Sequence, residues 1–219
     1  MPTEQFEYNT LELVITDKLF PKIDVSLRRG YHIDIEDINE FSFIQDTYAF
    51  LSAFYRQFNA ELVYADEGYY YLIPKDDKFI RSKRIDKITM VIGQILAMMK
   101  LEPENLKESG WLPTEKIADK MTMLLNKEQI SLLFSRSVNT DLDKNRLLDE
   151  IRTSLRQLKR MGMLVLESNA ANRVRPCASI MRFADPVKGL ENPLVSQMAL
   201  IQKGYLEKDD DKESDTTDL

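Results

Sequence analysis

Residues 151–167, IRTSLRQLKRMGMLVLE, decide the fold. Ile151, Leu155 and Leu158 recur at the three-to-four spacing of one buried helix face. Arg152, Arg156, Lys159 and Arg160 lie beside that stripe, four cations in nine residues. Cations also suit the C-terminal end of a helix dipole. Gly162 reads as the stop, and MLVLE as a short strand. Traced back through Leu147 and Leu148, the stripe predicts a helix over 143–161. Traced forward, MLVLES, NAAN and RVRPCASIMRF read as a hairpin whose second strand runs through SIMRF.

The same order recurs upstream. TDKLFPKIDVSLRRG predicts a helix over 16–29, with Thr16 or Asp17 as cap and Gly30 as stop. YHIDIEDI is a brief strand, 41–58 a long helix, and AELVYADEGYYYLIP a hairpin turning at ADEG. In the second half a helix over 84–100 precedes a break at LEPENLKESG. Trp111–Leu112 reads as a short strand, Thr114 as the cap of a helix from Lys116 to Leu125, and the stretch to Asn139 as partly helical. Helix, strand, helix, helix, hairpin is the order of a winged helix, in which the third helix is the usual nucleic-acid reader. The expected fold is therefore α+β, mainly helical, with tandem winged-helix domains over 1–80 and 81–185. A C-terminal helix over 186–205, ending at Gly204, and a disordered acidic tail over 206–219 complete the chain.

Charge is distributed unevenly along the 219 residues. The formal net charge is −6, yet the tail alone holds seven Asp/Glu against two Lys, a net of −5. Lys144–Arg182 has nine Arg/Lys against Asp149, Glu150 and Glu167, a net of +6. A tail of that charge can compete with DNA for the basic region, or simply solubilise the chain.

The two third helices differ in their faces. In 41–58, Phe43, Ile44, Thr47, Tyr48, Phe50, Leu51, Phe54, Tyr55 and Phe58 cover about half the cylinder, wider than the stripe that a small domain needs. Twelve of the 20 aromatic residues fall in 41–79. Phe43, Tyr48, Phe50, Phe54, Tyr55, Tyr69 and Tyr70 are the candidate partner-binding residues, because aromatics anchor interfaces; an aromatic-rich core is the plain alternative. The basic helix suits phosphates, each neutralised one contributing through counterion release. A merely solvated face is its plain alternative.

Catalytic and metal chemistry has little material. His32 and Cys177 are the only residues of their kinds, which removes multi-His and multi-Cys sites; His32 reads as a packed or surface histidine and Cys177 as structural. No GxxxxGK[ST] or GxGxxG occurs. DLDKNRLLDEIR from Asp141 imitates a calcium loop at its first positions, but Arg146 stands where Gly is needed and Arg152 where Glu is needed. It reads as a helix start capped by Asp141 or Asp143. The reading is non-enzymatic, without cofactors, and without a membrane-spanning or signal segment, hence cytoplasmic.

LFPKIDVSLRRGYHIDIEDINEFSFIQDTYAFLSAFYRQFNAELVYADEGYYYLIP resembles the N-terminal part of the MukE family, accessory subunits of the bacterial MukBEF chromosome-organising complex. SRSVNTDLDKNRLLDEIRTSLRQLKRMGML and SIMRF are similar to that family's second half, so the likeness spans residues 19–185; an MksE-type paralogue stays open. The resemblance implies two winged-helix domains, a homodimer, and binding to a MukF-type kleisin. It also implies DNA held near the heads of a MukB-type SMC ATPase, reached through the kleisin, with a nucleoid-associated location. The family's basic positions fall on Arg136, Lys144, Arg146, Arg152, Lys159 and Arg160. Arg156 joins them from the helix pattern, and it exchanges character with Gln157 relative to the family. Rival readings are a sequence-specific winged-helix regulator and a pure protein-interaction adaptor. The first would read bases with Asn or Gln beside Arg; here Gln157 stands among cations suited to phosphates.

Overall fold

A computed structural model describes residues 8–102, 110–134, 141–168 and 171–203. The chain is α+β and mainly helical, with two small antiparallel sheets. It divides into two compact units. Met1–Ile85, Gln157–Val165 and Pro176–Met181 form the first, while Asp86–Arg156, Leu166–Arg175 and Arg182–Leu219 form the second. The first unit takes in two short segments from the second half of the chain besides its run to Ile85. Among the described residues no helix is long and apolar enough to cross a membrane.

In the first unit, α1 (Leu11–Thr16) begins where the Thr10 side chain accepts from the Leu13 N–H. Helix α2 (Phe20–Arg28) carries Pro21 in its first turn, where no intrahelical N–H is lost. Strand β1 (Ile33–Asp34) leads to α3 (Ile38–Arg56), and β2 (Ala60–Ala65) and β3 (Tyr69–Pro74) form the hairpin. The hairpin runs in register from Ala60 opposite Pro74 to Ala65 opposite Tyr69. On its other edge β3 pairs with β1, Ile33 opposite Tyr70. Ile23, Leu27, Phe43, Ile44, Leu51, Tyr55 and Leu62 build the core between helices and sheet.

In the second unit, α4 (Lys87–Leu101) is capped by Asp86, whose carboxylate accepts from the Thr89 N–H at 2.8 Å. Val91, Ile92, Ile95, Leu96, Met98 and Met99 are all buried, so this helix is covered on most of its circumference. Along the chain, strand β4 (Leu112–Pro113), α5 (Thr114–Leu124), α6 (Lys127–Leu133), α7 (Asp141–Arg160), β5 (Leu164–Leu166) and β6 (Arg173–Pro176) follow, of which Gln157–Val165 and Pro176 belong to the first unit. A 3₁₀ helix over Ala178–Val187 and α8 (Pro193–Lys203) end the described chain. The second sheet has the order β4-β6-β5, matching β1-β3-β2 in the first. The unit boundary falls within α7, after Arg156.

Three expectations need correction. The helix expected from residue 16 starts at Phe20 with Leu19 as its N-cap instead of Thr16 or Asp17, which end the additional helix α1. Thr114 is the first residue of α5 instead of its cap, and its hydroxyl donates to the Ala171 carbonyl. The stretch to Asn139 is partly helical as expected: its described part holds α6, which opens on an Asn126–Gln129 capping box. SIMRF is part of the 3₁₀ helix instead of a strand. Pro176 has no N–H to continue a ladder, and buried Ile180, Phe183, Ala184 and Val187 repeat at helical spacing. Residues 135–140, the turn residues 169–170 and the tail beyond Lys203 lie outside the described residues, as do the side chains of Asp141 and Asp143. The backbone from Asp141 is helical throughout DLDKNRLLDEIR.

Candidate nucleic-acid interface

Helix α7 is positioned by its stripe: Leu147, Leu148, Ile151, Leu155 and Leu158 are all buried, and Ser154 joins them. Helical geometry then turns the opposite flank outward. Arg146, Arg156, Lys159 and Arg160 are exposed there. Arg136 lies outside the described residues, and Lys144 falls in the first turn of α7 with its side chain outside them.

Arg152 differs from its neighbours. Its side chain is only 25% exposed and lies 2.9 Å from the Asp149 carboxylate. It also reaches the Asn172 side-chain oxygen at 3.4 Å, tying α7 to the start of β6. Asp149 itself is exposed on the basic flank. The flank thus carries outward cations together with exposed Asp149 and Glu150, and Arg152 is partly committed to holding the structure.

Two further cations stand on β6. Arg173 and Arg175 flank the buried Val174, so strand alternation puts both on one face. Arg173 lies 3.4 Å from Glu167, and the Arg175 guanidinium stands 5.8 Å from the Trp111 ring centroid. The alternation RVR in the sequence carries that signal, although neither residue stood among the candidates. Among the described residues no group of three or more His, Cys, Asp or Glu could hold a metal ion.

The aromatic candidates separate into two groups. Phe43, Tyr55, Tyr69 and Tyr70 are inside the first unit, at 5% exposure or less. Tyr48 is exposed and donates its hydroxyl to the Leu62 carbonyl at 2.9 Å, while Phe50 and Phe54 are half-buried. Much of the aromatic excess is thus core. Phe54 packs edge-on against Phe20, Tyr55 and Phe58, with the Arg28 guanidinium 4.2 Å above Phe58. On α3 the exposed positions include Gln45, Asp46, Ala49, Ala53 and Arg56, with no net charge. The two long helices that precede the hairpins therefore present opposite kinds of surface.

The MukE-like family matches residues 8–219. The chain is 31% identical over 217 residues to the chromosome partition protein MukE of Pectobacterium atrosepticum, covering 95% of this chain and 94% of that one. It is 32% identical over 197 residues to the protein of that name from Vibrio parahaemolyticus, covering 90% and 84%. It is 30% identical over 195 residues to that of Escherichia coli K12, covering 89% and 83%. The chain belongs to the MukE-like family. The family match reaches well beyond Arg182, across the segment following Pro186 whose sequence showed no clear likeness.

Proposed function

We propose that this chain is a non-catalytic subunit of a condensin-like chromosome-partition complex, built from two winged-helix domains. The family membership supports the assembly, and the shared strand order of the two sheets supports the domain reading. In this reading the chain dimerises, binds a MukF-type kleisin, and reaches a MukB-type SMC ATPase through it in the nucleoid. The first domain (1–80) supplies dimer and kleisin contacts, with Tyr48, Phe50 and Phe54 at its surface. The second (81–185) contacts the DNA backbone and the kleisin.

The observation that carries the DNA reading is the contrast between α3 and α7. Equivalent places in the element order hold a neutral outer face in one and exposed Arg146, Arg156, Lys159 and Arg160 in the other. Cations on phosphates position a protein on DNA without reading sequence. Selection from random duplexes tests the choice between partition subunit and sequence-specific regulator. No consensus is expected, and a strong palindromic one would favour the regulator. Substituting Arg156→Glu and Lys159→Glu in the assembled complex tests the contact itself; unchanged retention of DNA would leave the adaptor reading standing.

A further inference from the structure

The connection from β3 to α4 reads KDDKFIRSKRID over residues 75–86 and lies outside the basic region that the charge distribution marks. Ile80 is buried at 4% exposure and fastens this segment to the first unit, whereas Arg81, Lys83 and Arg84 are exposed. Its acids are occupied locally. The Asp76 carboxylate accepts from the Lys78 N–H at 3.0 Å and from the Asn59 side chain, and Asp77 accepts from the Ser82 N–H at 2.7 Å. Among the described residues Arg81, Lys83 and Arg84 enter no ion pair.

The place of this strap matters as much as its charge. The Lys83 side chain lies against Gly30: a Cβ on Gly30 would sit 3.4 Å from its Cβ and Cδ. Exposed Arg29 is the preceding residue. Two residues after Gly30, at most roughly 7 Å along the chain, His32 is hydrogen-bonded to Met161. Met161 directly follows Lys159 and Arg160. All of these residues belong to the first unit, so the strap and the turn after α7 are both tied to the short segment Gly30–His32.

We propose that Arg81, Lys83, Arg84 and Arg29 form a second phosphate-contacting element for duplex DNA, continuous with the C-terminal end of α7. The proposal rests on the DNA reading of α7 and extends its footprint. Cations that enter no contact ion pair, with Arg81 and Arg84 only in longer-range attraction to exposed Asp77, release counterions on meeting phosphates, so each contact adds about 0.9 to the slope of log affinity against log salt.

The test uses the full chain and a labelled 30-base-pair duplex of arbitrary sequence in a salt series. The strap variant is R81Q/K83Q/R84Q, and the charge-matched control is K18Q/R56Q/K127Q, three exposed cations elsewhere. The strap variant is expected to lose roughly tenfold in low-salt affinity and about 2 to 3 in slope, with the control close to wild type. Circular dichroism checks that each variant is folded. Equal behaviour of strap variant and control overturns the proposal. So does a polyglutamate peptide that displaces the duplex only when the strap is intact, which would mark an acidic protein segment as its ligand. R156Q/K159Q/R160Q separates the two levels: loss there with an unaffected strap variant rejects the strap alone, and no effect of either rejects the DNA reading as well.

Discussion

His32 and Met161 are joined twice: the backbone N–H of His32 donates to the Met161 carbonyl at 2.8 Å, and its ring Nδ1–H to the same oxygen at 3.0 Å. The ring stacks on Tyr71 with centroids 5.4 Å apart and is buried. This fixes the turn after α7 against β1, and with it the direction of Lys159 and Arg160. Next along the chain, the Ser179 hydroxyl donates to the Gly162 carbonyl at 2.7 Å, and the Ser179 N–H to Asp34 at 3.2 Å. The one histidine of the sequence is thus a packing residue that orients the basic end of a helix.

Gly162 sits in that turn at φ +71°, and a Cβ there would come within 2.3 Å of the His32 carbonyl oxygen. Backbone strain and a backbone clash act together. Gly162→Ala is expected to cost about 3 kcal/mol or more, from roughly 1–2 kcal/mol of left-handed strain plus the displacement of β1. Urea denaturation measures it, and a loss under about 1 kcal/mol would contradict the junction.

Alkaline stability should depend on Tyr31, whose ring packs on the same glycine. Burial first, then the charges of Asp37 and Cys177, push its phenol up to about 12. An unfolded tyrosine ionises near about 10. The folded state holds the proton more tightly, so this contribution is complete below pH about 10 and disappears as pH rises through about 12. The urea midpoint should fall across that window, and Tyr31→Phe should make the fall shallower without abolishing it. Tyr8, also raised to about 12 by burial and its Asp17 hydrogen bond, continues to contribute.

Gly93 on α4 faces the Phe183 ring, whose nearest carbon would be 2.5 Å from an added Cβ. Phe183 is itself buried, at 6% exposure, so the ring has little room to yield. Gly93→Ala is expected to destabilise by about 1–3 kcal/mol through overpacking. Phe183→Leu in the same chain should recover part of that loss, and strict additivity of the two in a double-mutant cycle would contradict direct contact.

Arg152 separates structure from binding. Removing it frees Asp149 and Asn172, so Arg152→Ala is expected to lower stability by about 1 kcal/mol, whereas Arg160→Ala should stay within about 0.5 kcal/mol. Thermal unfolding of the two variants compares them directly.

The sequence revealed regular elements with strong periodicity. ADEG between two apolar runs located the first hairpin, and the Leu147–Leu158 stripe located α7 and its exposed flank. The 3₁₀ helix escaped because RVRPCASIMRF alternates like a strand until Pro176, while its helical set, Ile180 to Val187, is short. Tyr55 and Tyr69 could not be separated from Tyr48 by pattern, because all lie on apolar faces and only tertiary packing decides which are covered. Arg152 counts like its neighbours in any charge tally; its tie to Asn172, twenty residues on, exists only once the second sheet is folded. The strap at 81–84 was diluted by Asp76, Asp77 and Asp86, whose engagement with local donors no composition reveals.

The most direct measurement of the central claim is the salt dependence of duplex binding by the wild-type chain and R156Q/K159Q/R160Q. The expected result is a slope reduced by about 2 to 3 and an affinity loss equal for unrelated duplex sequences. An unchanged slope, or a loss confined to one sequence, would contradict the assignment of the α7 flank to the DNA backbone.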